Sequence, residues 1–132
     1  MAVSKTSLSV GALIREILLA DTEVSARCSR IFPVATDQAI LPYILYRRTS
    51  MEPYPQKSGQ PNADSTAVEV LCFTEKYGSG VELAEAVRGA LDGIHATSGD
   101  GTQYMRSCVL MDSEEGWQDD AYVQQLVFSI KV

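Results

Sequence analysis

Residues 41–49, Leu-Pro-Tyr-Ile-Leu-Tyr-Arg-Arg-Thr, decide the fold of this chain. Aromatic and β-branched side chains fill the stretch, and Pro42 stands at its start, where a strand tolerates a missing amide donor. Side chains alternate across a strand, so the two faces are Tyr43, Leu45 and Arg47, and Ile44, Tyr46 and Arg48. Large apolar side chains occur on both faces. The pattern predicts a strand with a core on one side and a surface for another subunit on the other.

The remaining elements follow from hydrophobic periodicity. Apolar residues at helical spacing predict amphipathic helices over 8–20 and 81–92, the second one capped by Gly93. Alternating apolar residues predict strands over 66–75, 104–111 and 121–132. Smaller features are a further helical turn over 22–28, a brief extended piece at Ile31-Phe32, a turn at 77–80 and an acidic connector over 112–120.

This order, α-β-β-α-β-β, predicts an α+β domain. Neighbouring strands joined by loops pair antiparallel, so we expect an antiparallel sheet of about four strands with two amphipathic helices on one face. At 132 residues the chain has the length of one domain, 1–132. Residues 50–64 hold three of the five prolines and predict a long Pro/Gly-rich loop, of the length at which loops are usually functional or disordered.

The charge excludes several classes of function. With 11 Lys and Arg against 17 Asp and Glu, the net charge of −6 argues against nucleic-acid binding, including sequence-specific binding, and against a polybasic membrane anchor. The charge is also uneven, because residues 1–60 carry +2 and residues 61–132 carry −8. Such a division suits copies that meet head to tail, although taken alone it is better explained by acidic residues lying wherever the surface is solvated.

No targeting or membrane segment is expected. Arg15 and Glu16 interrupt the apolar run near the start, which does not resemble a secretory signal. No stretch approaches the roughly 20 apolar residues of a membrane helix. The three cysteines, Cys28, Cys72 and Cys108, are widely spaced and form no CxxC pair. We therefore expect reduced, buried thiols in a chain that is not secreted.

Patterns for catalysis, metal binding or phosphate binding are weak. His95 is the only histidine and follows the second helix, where a surface role is favoured over pairing with a thiol. The acids of 112–120 do not have the spacing of a calcium loop, and a solvated hairpin tip is favoured there. Gly78-Ser79-Gly80 begins a GxGxxG pattern that lacks its third glycine. We therefore expect no catalytic residues, no metal and no cofactor.

Three segments together carry a family resemblance. They are Ile31-Phe32-Pro33, the run Leu41-Pro42-Tyr43-Ile44-Leu45-Tyr46, and residues 81–93, Val-Glu-Leu-Ala-Glu-Ala-Val-Arg-Gly-Ala-Leu-Asp-Gly. They resemble corresponding segments of small phage tail-completion proteins, the tail-terminator-like proteins of long-tailed phages and prophages. The layout extends over nearly the whole chain. One departure is Val127-Phe128 in the closing strand, where the family pattern has an acid before the aromatic residue.

The resemblance implies a structural virion protein and no enzyme. Members assemble in the host cytoplasm as homo-oligomers, usually hexameric rings, at the head-proximal end of the tail tube. They cap the tail tube and join it to the head, so the implied partners are further copies of the chain, the tail tube protein and the head-side connector protein. The implied location is the tail or neck of the virion, of a phage or a prophage.

The sequence also suggests where such contacts lie. A ring needs two different patches on each copy, and the basic and acidic parts of the chain could supply them. The subunit-interface candidates are Arg47, Arg48, Asp112, Glu114, Glu115, Asp119 and Asp120. The candidates for a partner or pore loop are Met51, Tyr54, Pro55 and Lys57. Alternative functions are a regulatory or adaptor module that binds through a sheet edge and a small cysteine-dependent enzyme.

Overall fold

A computed structural model describes residues 6–53 and 64–132. After a single 3₁₀ turn at Ser7–Ser9, this part of the chain forms three α-helices and six β-strands. The helices are α1 (Val10–Ala20), α2 (Thr22–Arg27) and α3 (Tyr77–Leu91). The strands are β1 (Ile31–Pro33), β2 (Tyr43–Glu52), β3 (Ser65–Thr74), β4 (Ile94–Thr97), β5 (Tyr104–Gln118) and β6 (Ala121–Lys131).

The strands form one mixed sheet in the order β1-β2-β3-β6-β5-β4, which curls into a half-barrel. β1 pairs with β2 in parallel, and every other neighbouring pair is antiparallel. The centre of the sheet is the β3–β6 pair, whose register places Val68 opposite Phe128 and Val70 opposite Leu126. Strands β2 and β5 flank this centre, while the short strands β1 and β4 cover only part of their outer edges.

The predicted fold class is wrong. The structure has six strands instead of about four, a mixed instead of an antiparallel sheet, and three helices instead of two. β1 was expected only as a brief extended piece at Ile31-Phe32, and β4 was missed, because strands of three and four residues are too short to show alternation. The expected turn at 77–80 is the first turn of α3, where Gly80 lies so close to Thr74 that a Cβ atom would come within 2.7 Å of its Oγ1.

The main core lies between the helices and one face of the sheet, called here the helix face. Helix α1 contributes Val10, Leu13, Ile14 and Leu18, and α3 contributes Leu83, Val87, Ala90 and Leu91, all buried. The alternating residues of β3 and β6 predicted from the sequence meet them from the sheet: Val68, Val70 and Cys72, and Leu126, Phe128 and Ile130. Burial of these side chains removes the helices' apolar stripes from water.

The opposite face of the sheet, called here the open face, carries a smaller apolar cluster. Tyr43 and Phe73 stack with ring centroids 4.5 Å apart, next to buried Ala121 and Val123. Residues 34–39 face this cluster across a cavity of about 520 Å³. The chain itself therefore covers part of the face for which a subunit contact was predicted.

The predicted acidic connector is the far end of a long β-hairpin. β5 pairs with β6 from Ser107 to Gln118, and the chain reverses through Asp119 and Asp120 alone. Both aspartates have positive φ, 53° and 58°, as the two central residues of a type I′ turn require. A hairpin was expected here, but not that its strands extend through the acids. Acids and glycine have low strand propensity, whereas pairing with apolar β6 holds them in the strand.

Candidate interaction surfaces

Two strand ends project beyond the packed layers. Along β5, all residues from Met111 to Gln118 are exposed, whichever face they point to. Along β2, residues 47–50 are exposed in the same way, whereas residues 43–46 are mostly buried. A strand normally hides one face, so exposure of both faces marks segments without a covering layer. Nearly all the described interface candidates lie on these two projecting ends.

Arg47 lies on the open face and has a partner within its own chain. Its Nε donates to Oε1 of Glu69 at 2.9 Å, and Nε2 of Gln125 donates to Oε2 of the same carboxylate at 2.9 Å. The Glu69 side chain is only 8% exposed, whereas Arg47 remains 53% exposed. Glu69 and Gln125 were not identified from the sequence, although an acid among Ala67, Leu71 and Phe73 on one strand face was a visible signal. Arg47 therefore neutralises a buried carboxylate.

Arg48 points to the helix face and keeps its charge unpaired. Its Nη1 donates to the backbone oxygen of Leu8 at 2.7 Å, and no carboxylate among the described residues forms an ion pair with it. The side chain is exposed. Because the two arginines face opposite sides of the sheet, they cannot act as one patch, and Arg48 is the one whose charge is available to a neighbour.

The acidic candidates divide in the same way. The register places Asp112 and Glu114 on the open face and Glu115 on the helix face, while Asp119 and Asp120 form the hairpin turn. All five are exposed, and no basic side chain of the described residues forms an ion pair with any of them. Uncompensated charges of one sign along a strand repel a like-charged strand and attract a basic one.

An aromatic cluster lies beside Glu115 on the helix face. Tyr122 meets Trp117 and Tyr77 edge to face, at centroid distances of 5.0 and 5.8 Å. Nε2 of Gln124 and the hydroxyl of Tyr77 each donate to Oε2 of Glu115 at 2.9 Å. These two hydrogen bonds lower the pKa of the Glu115 carboxyl, and the bond from Gln124 has the larger effect. The hydrogen bond to this carboxylate raises the pKa of Tyr77.

Acid should loosen this cluster. Because the folded pKa of Glu115 lies below its ordinary value of 4.5, the two bonds stabilise the hairpin above that pH and are lost as the pH falls through the folded pKa. We expect the fluorescence of Trp117, the only tryptophan, to titrate with a midpoint below 4.5, and Tyr77→Phe to raise that midpoint. Tyr104→Phe is the matched control, since Tyr104 is exposed and remote from Glu115. An unchanged midpoint in Tyr77→Phe would contradict the assignment.

The cysteines are poorly suited to nucleophilic chemistry. All three are free and buried, and burial raises the pKa of each thiol, to about 12 for Cys108. His95 lies exposed on β4, next to Ile94, which pairs with Cys108. Within residues 6–53 and 64–132, no three His, Cys, Asp or Glu side chains are grouped to hold a metal ion. The thiolate that a cysteine-dependent enzyme needs is therefore disfavoured at all three positions.

Of the candidates for a partner or pore loop, the structure describes Met51 alone. Met51 is half-buried near the end of β2. Tyr54, Pro55 and Lys57 lie outside the described residues. Their role in contacting a partner stays a prediction.

The charged strand ends that project beyond the packed layers are surfaces through which the chain can contact other molecules. The sequence model of one family, tail completion protein gp17, matches residues 12–116. The chain therefore belongs to the tail completion protein gp17 family, and it is a structural protein of phage tails. The family resemblance noted in the sequence is confirmed.

A solved structure shows the same fold. It is a chain described as "Virion of native gene transfer agent (GTA) particle", with a TM-score of 0.73 and 14% sequence identity. The similarity covers 97% of this chain and 98% of the other. At that identity the likeness shows that the architecture is shared. No curated protein matches the chain in sequence. None of the helices among the described residues is long and apolar enough to cross a membrane.

Proposed function

We propose that the chain caps the tail tube and joins it to the head as a homo-oligomeric ring, six copies in the assembled state, and has no enzymatic activity. Family membership supports the tail assignment. The observation that carries the ring is the pair of unlike projecting ends, one with Arg48 and one with acids, none of which forms an ion pair among the described residues. When a patch on one copy binds a different patch on the next copy, the contact repeats and forms a closed ring if the rotation between copies fits. A contact between two identical patches joins only two copies.

The virion setting supports two further partners. The similar chain in the gene transfer agent particle belongs to an assembled virion by its description. For this chain we infer contacts with the tail tube protein on one side of the ring and with a head-side connector protein on the other. The aromatic cluster of Tyr77, Trp117 and Tyr122 is suited to such a contact, because exposed aromatic residues are enriched at protein interfaces.

Growth of the tail tube tests capping. Purified chain added to polymerising tail tube protein should shorten the tubes in proportion to its concentration and should be found at tube ends. A matched sample with bovine albumin at equal mass controls for crowding. Tubes of unchanged length, or chain bound along the whole tube wall, would contradict the capping role.

A regulatory or adaptor module remains the competing function. It would use the same exposed sheet edge to bind a peptide of another protein. The two functions differ in self-association, because an adaptor stays monomeric in the presence of tail tubes, whereas a ring protein does not.

A further inference from the structure

β2 and β5 each leave part of their outer edge uncovered by the short strand beside them, and the two uncovered segments lie at diagonally opposite corners of the sheet. β1 pairs with β2 only at Ile44, Leu45 and Tyr46, which leaves the outer edge of residues 47–52 without a strand among the described residues. β4 pairs with β5 no further than Cys108, and Asp92 Oδ1 accepts the Leu110 N–H at 2.9 Å, which leaves residues 111–118 without an outer partner in the described chain. Unpaired edges are templates for another strand.

The register of the β5–β6 hairpin shows which backbone N–H and C=O groups of β5 point away from β6, toward its uncovered edge. Gln118 and Ala121 flank the two-residue turn and form the hydrogen-bonded pair typical of it. Counting back by twos, Gly116 and Glu114 bond to β6, so Trp117 and Glu115 direct their backbone N–H and C=O groups outward. Ser113 has the same orientation, but its N–H donates to Oδ1 of Asp112 at 2.9 Å. On β2, the amide of Ile44 and the carbonyl of Tyr46 bond to the β1 segment, so the next residue on that side, Arg48, faces the free edge.

The short strand β1, by contrast, is closed to addition. Arg15 Nε donates to the outward carbonyl of Ile31 at 3.0 Å. Pro33 has no N–H, and its carbonyl accepts the amide of Ala35 at 2.6 Å. A proline and a side-chain cap are devices by which natural sheets block an edge. Because β1 is blocked, the uncovered segment of β2 is the place where this side of the sheet can extend. On the other side, the uncovered segment of β5 offers a longer edge than the four residues of β4.

Direction and charge select the pairing. β2 is antiparallel to β3, β3 to β6 and β6 to β5, so β2 and β5 run in opposite directions within one copy. A sheet that continues sideways into the next copy therefore joins them antiparallel. The β5 end carries Asp112, Glu114 and Glu115, so two β5 ends repel each other, whereas Arg48 on β2 provides the opposite charge.

We propose that residues 111–118 of β5 pair antiparallel with residues 47–52 of β2 from a second copy of this chain, so that one sheet continues around the ring. This inference rests on the ring proposed above and adds the bonding that closes it. Strand pairing supplies backbone hydrogen bonds, and the charges fix which edges meet. The diagonal placement of the edges requires the strands to incline to the ring axis, as they do in any closed barrel.

Cross-linking between engineered cysteines tests the pairing. Ser50 on β2 and Glu114 on β5 are both exposed, and no described side-chain hydrogen bond or ion pair involves them. The double variant Ser50→Cys/Glu114→Cys, treated with a short bis-maleimide under assembly conditions, should give covalent multimers up to the full ring. Each single variant should give at most dimers. The parent chain controls for Cys28, Cys72 and Cys108, which are buried.

The outcomes separate this inference from the function it rests on. A ladder in the double variant alone supports the pairing. Rings of normal mass without a ladder would overturn the strand pairing and leave the ring intact. A chain that stays monomeric with and without tail tubes would overturn both.

A proline variant provides an independent readout. Trp117→Pro removes an outward N–H without touching the β6 ladder, and it should prevent assembly while the melting temperature stays close to that of Trp117→Ala. Both variants lose the indole ring, which meets Tyr122 edge to face at a centroid distance of 5.0 Å. Assembly of Trp117→Pro at the same concentration as Trp117→Ala would overturn the inference.

Discussion

Phe128→Ala should lower the stability of the fold more than any other prediction made for this chain. Phe128 is fully buried on the helix face of β6, opposite Val68 on β3 and Leu110 on β5. Removing a buried phenylalanine costs about 3–5 kcal/mol, because the apolar contact is lost and a cavity remains. For a chain of this length we expect the melting temperature to fall by roughly 10–18 °C.

Met111→Ala is the matched control for this change. Met111 lies on the same hairpin but is 66% exposed, so its truncation should alter the free energy of unfolding by less than about 0.5 kcal/mol. Thermal melting followed by circular dichroism measures both. A Phe128→Ala variant that melts within a few degrees of the parent would contradict the packing of β6 against the helices.

Arg48→Glu should weaken assembly without unfolding the chain. The change replaces the unpaired cation of the β2 edge by an anion that meets the acids of β5 in the next copy. A reversed surface contact costs roughly 1–2 kcal/mol per interface, which raises the dissociation constant about tenfold. Light scattering across a concentration series measures the shift.

The positions of other charged residues determine the control variants for Arg48→Glu. Arg106→Glu makes the same charge change at an exposed arginine of β5 that lies before the free edge, and it should leave assembly unchanged. Adding Glu115→Lys to Arg48→Glu should restore assembly in part, since Glu115 shares the helix face with Arg48 and the change returns an opposite pair. Arg47 is unsuitable, because Arg47→Glu would place a second carboxylate beside buried Glu69. If Arg48→Glu assembled as well as the parent chain, the proposal that charge contributes to the interface would be wrong.

The sequence predicted the elements that have strong periodicity. Alternation located β2, β3 and β6 to within a few residues, and the apolar stripes located α1 and most of α3, because burial on one face imposes those periods. It failed where tertiary pairing overrides local preference. The acids of 112–118 became strand because β6 runs beside them, and Gly78 and Gly80 became helix because α3 packs closely on β3.

The candidate site was predictable in part. Charge counting identified the arginines and acids, and the family resemblance suggested that copies meet. The sequence alone could not show that Arg47 and Arg48 face opposite sides of the sheet with different partners. Nor could it show that the acids divide between the two faces, because both facts depend on the register of strand pairing. The free strand edges have no signal in one sequence, since an edge is defined by the strand that is missing beside it.

Electron microscopy of tail tubes assembled with the chain is the most direct test of the central claim. Six copies of the 14.4 kDa chain should form one closed ring at a single end of each tube. A chain that remains monomeric in these mixtures, or that decorates tubes along their length, would contradict the account.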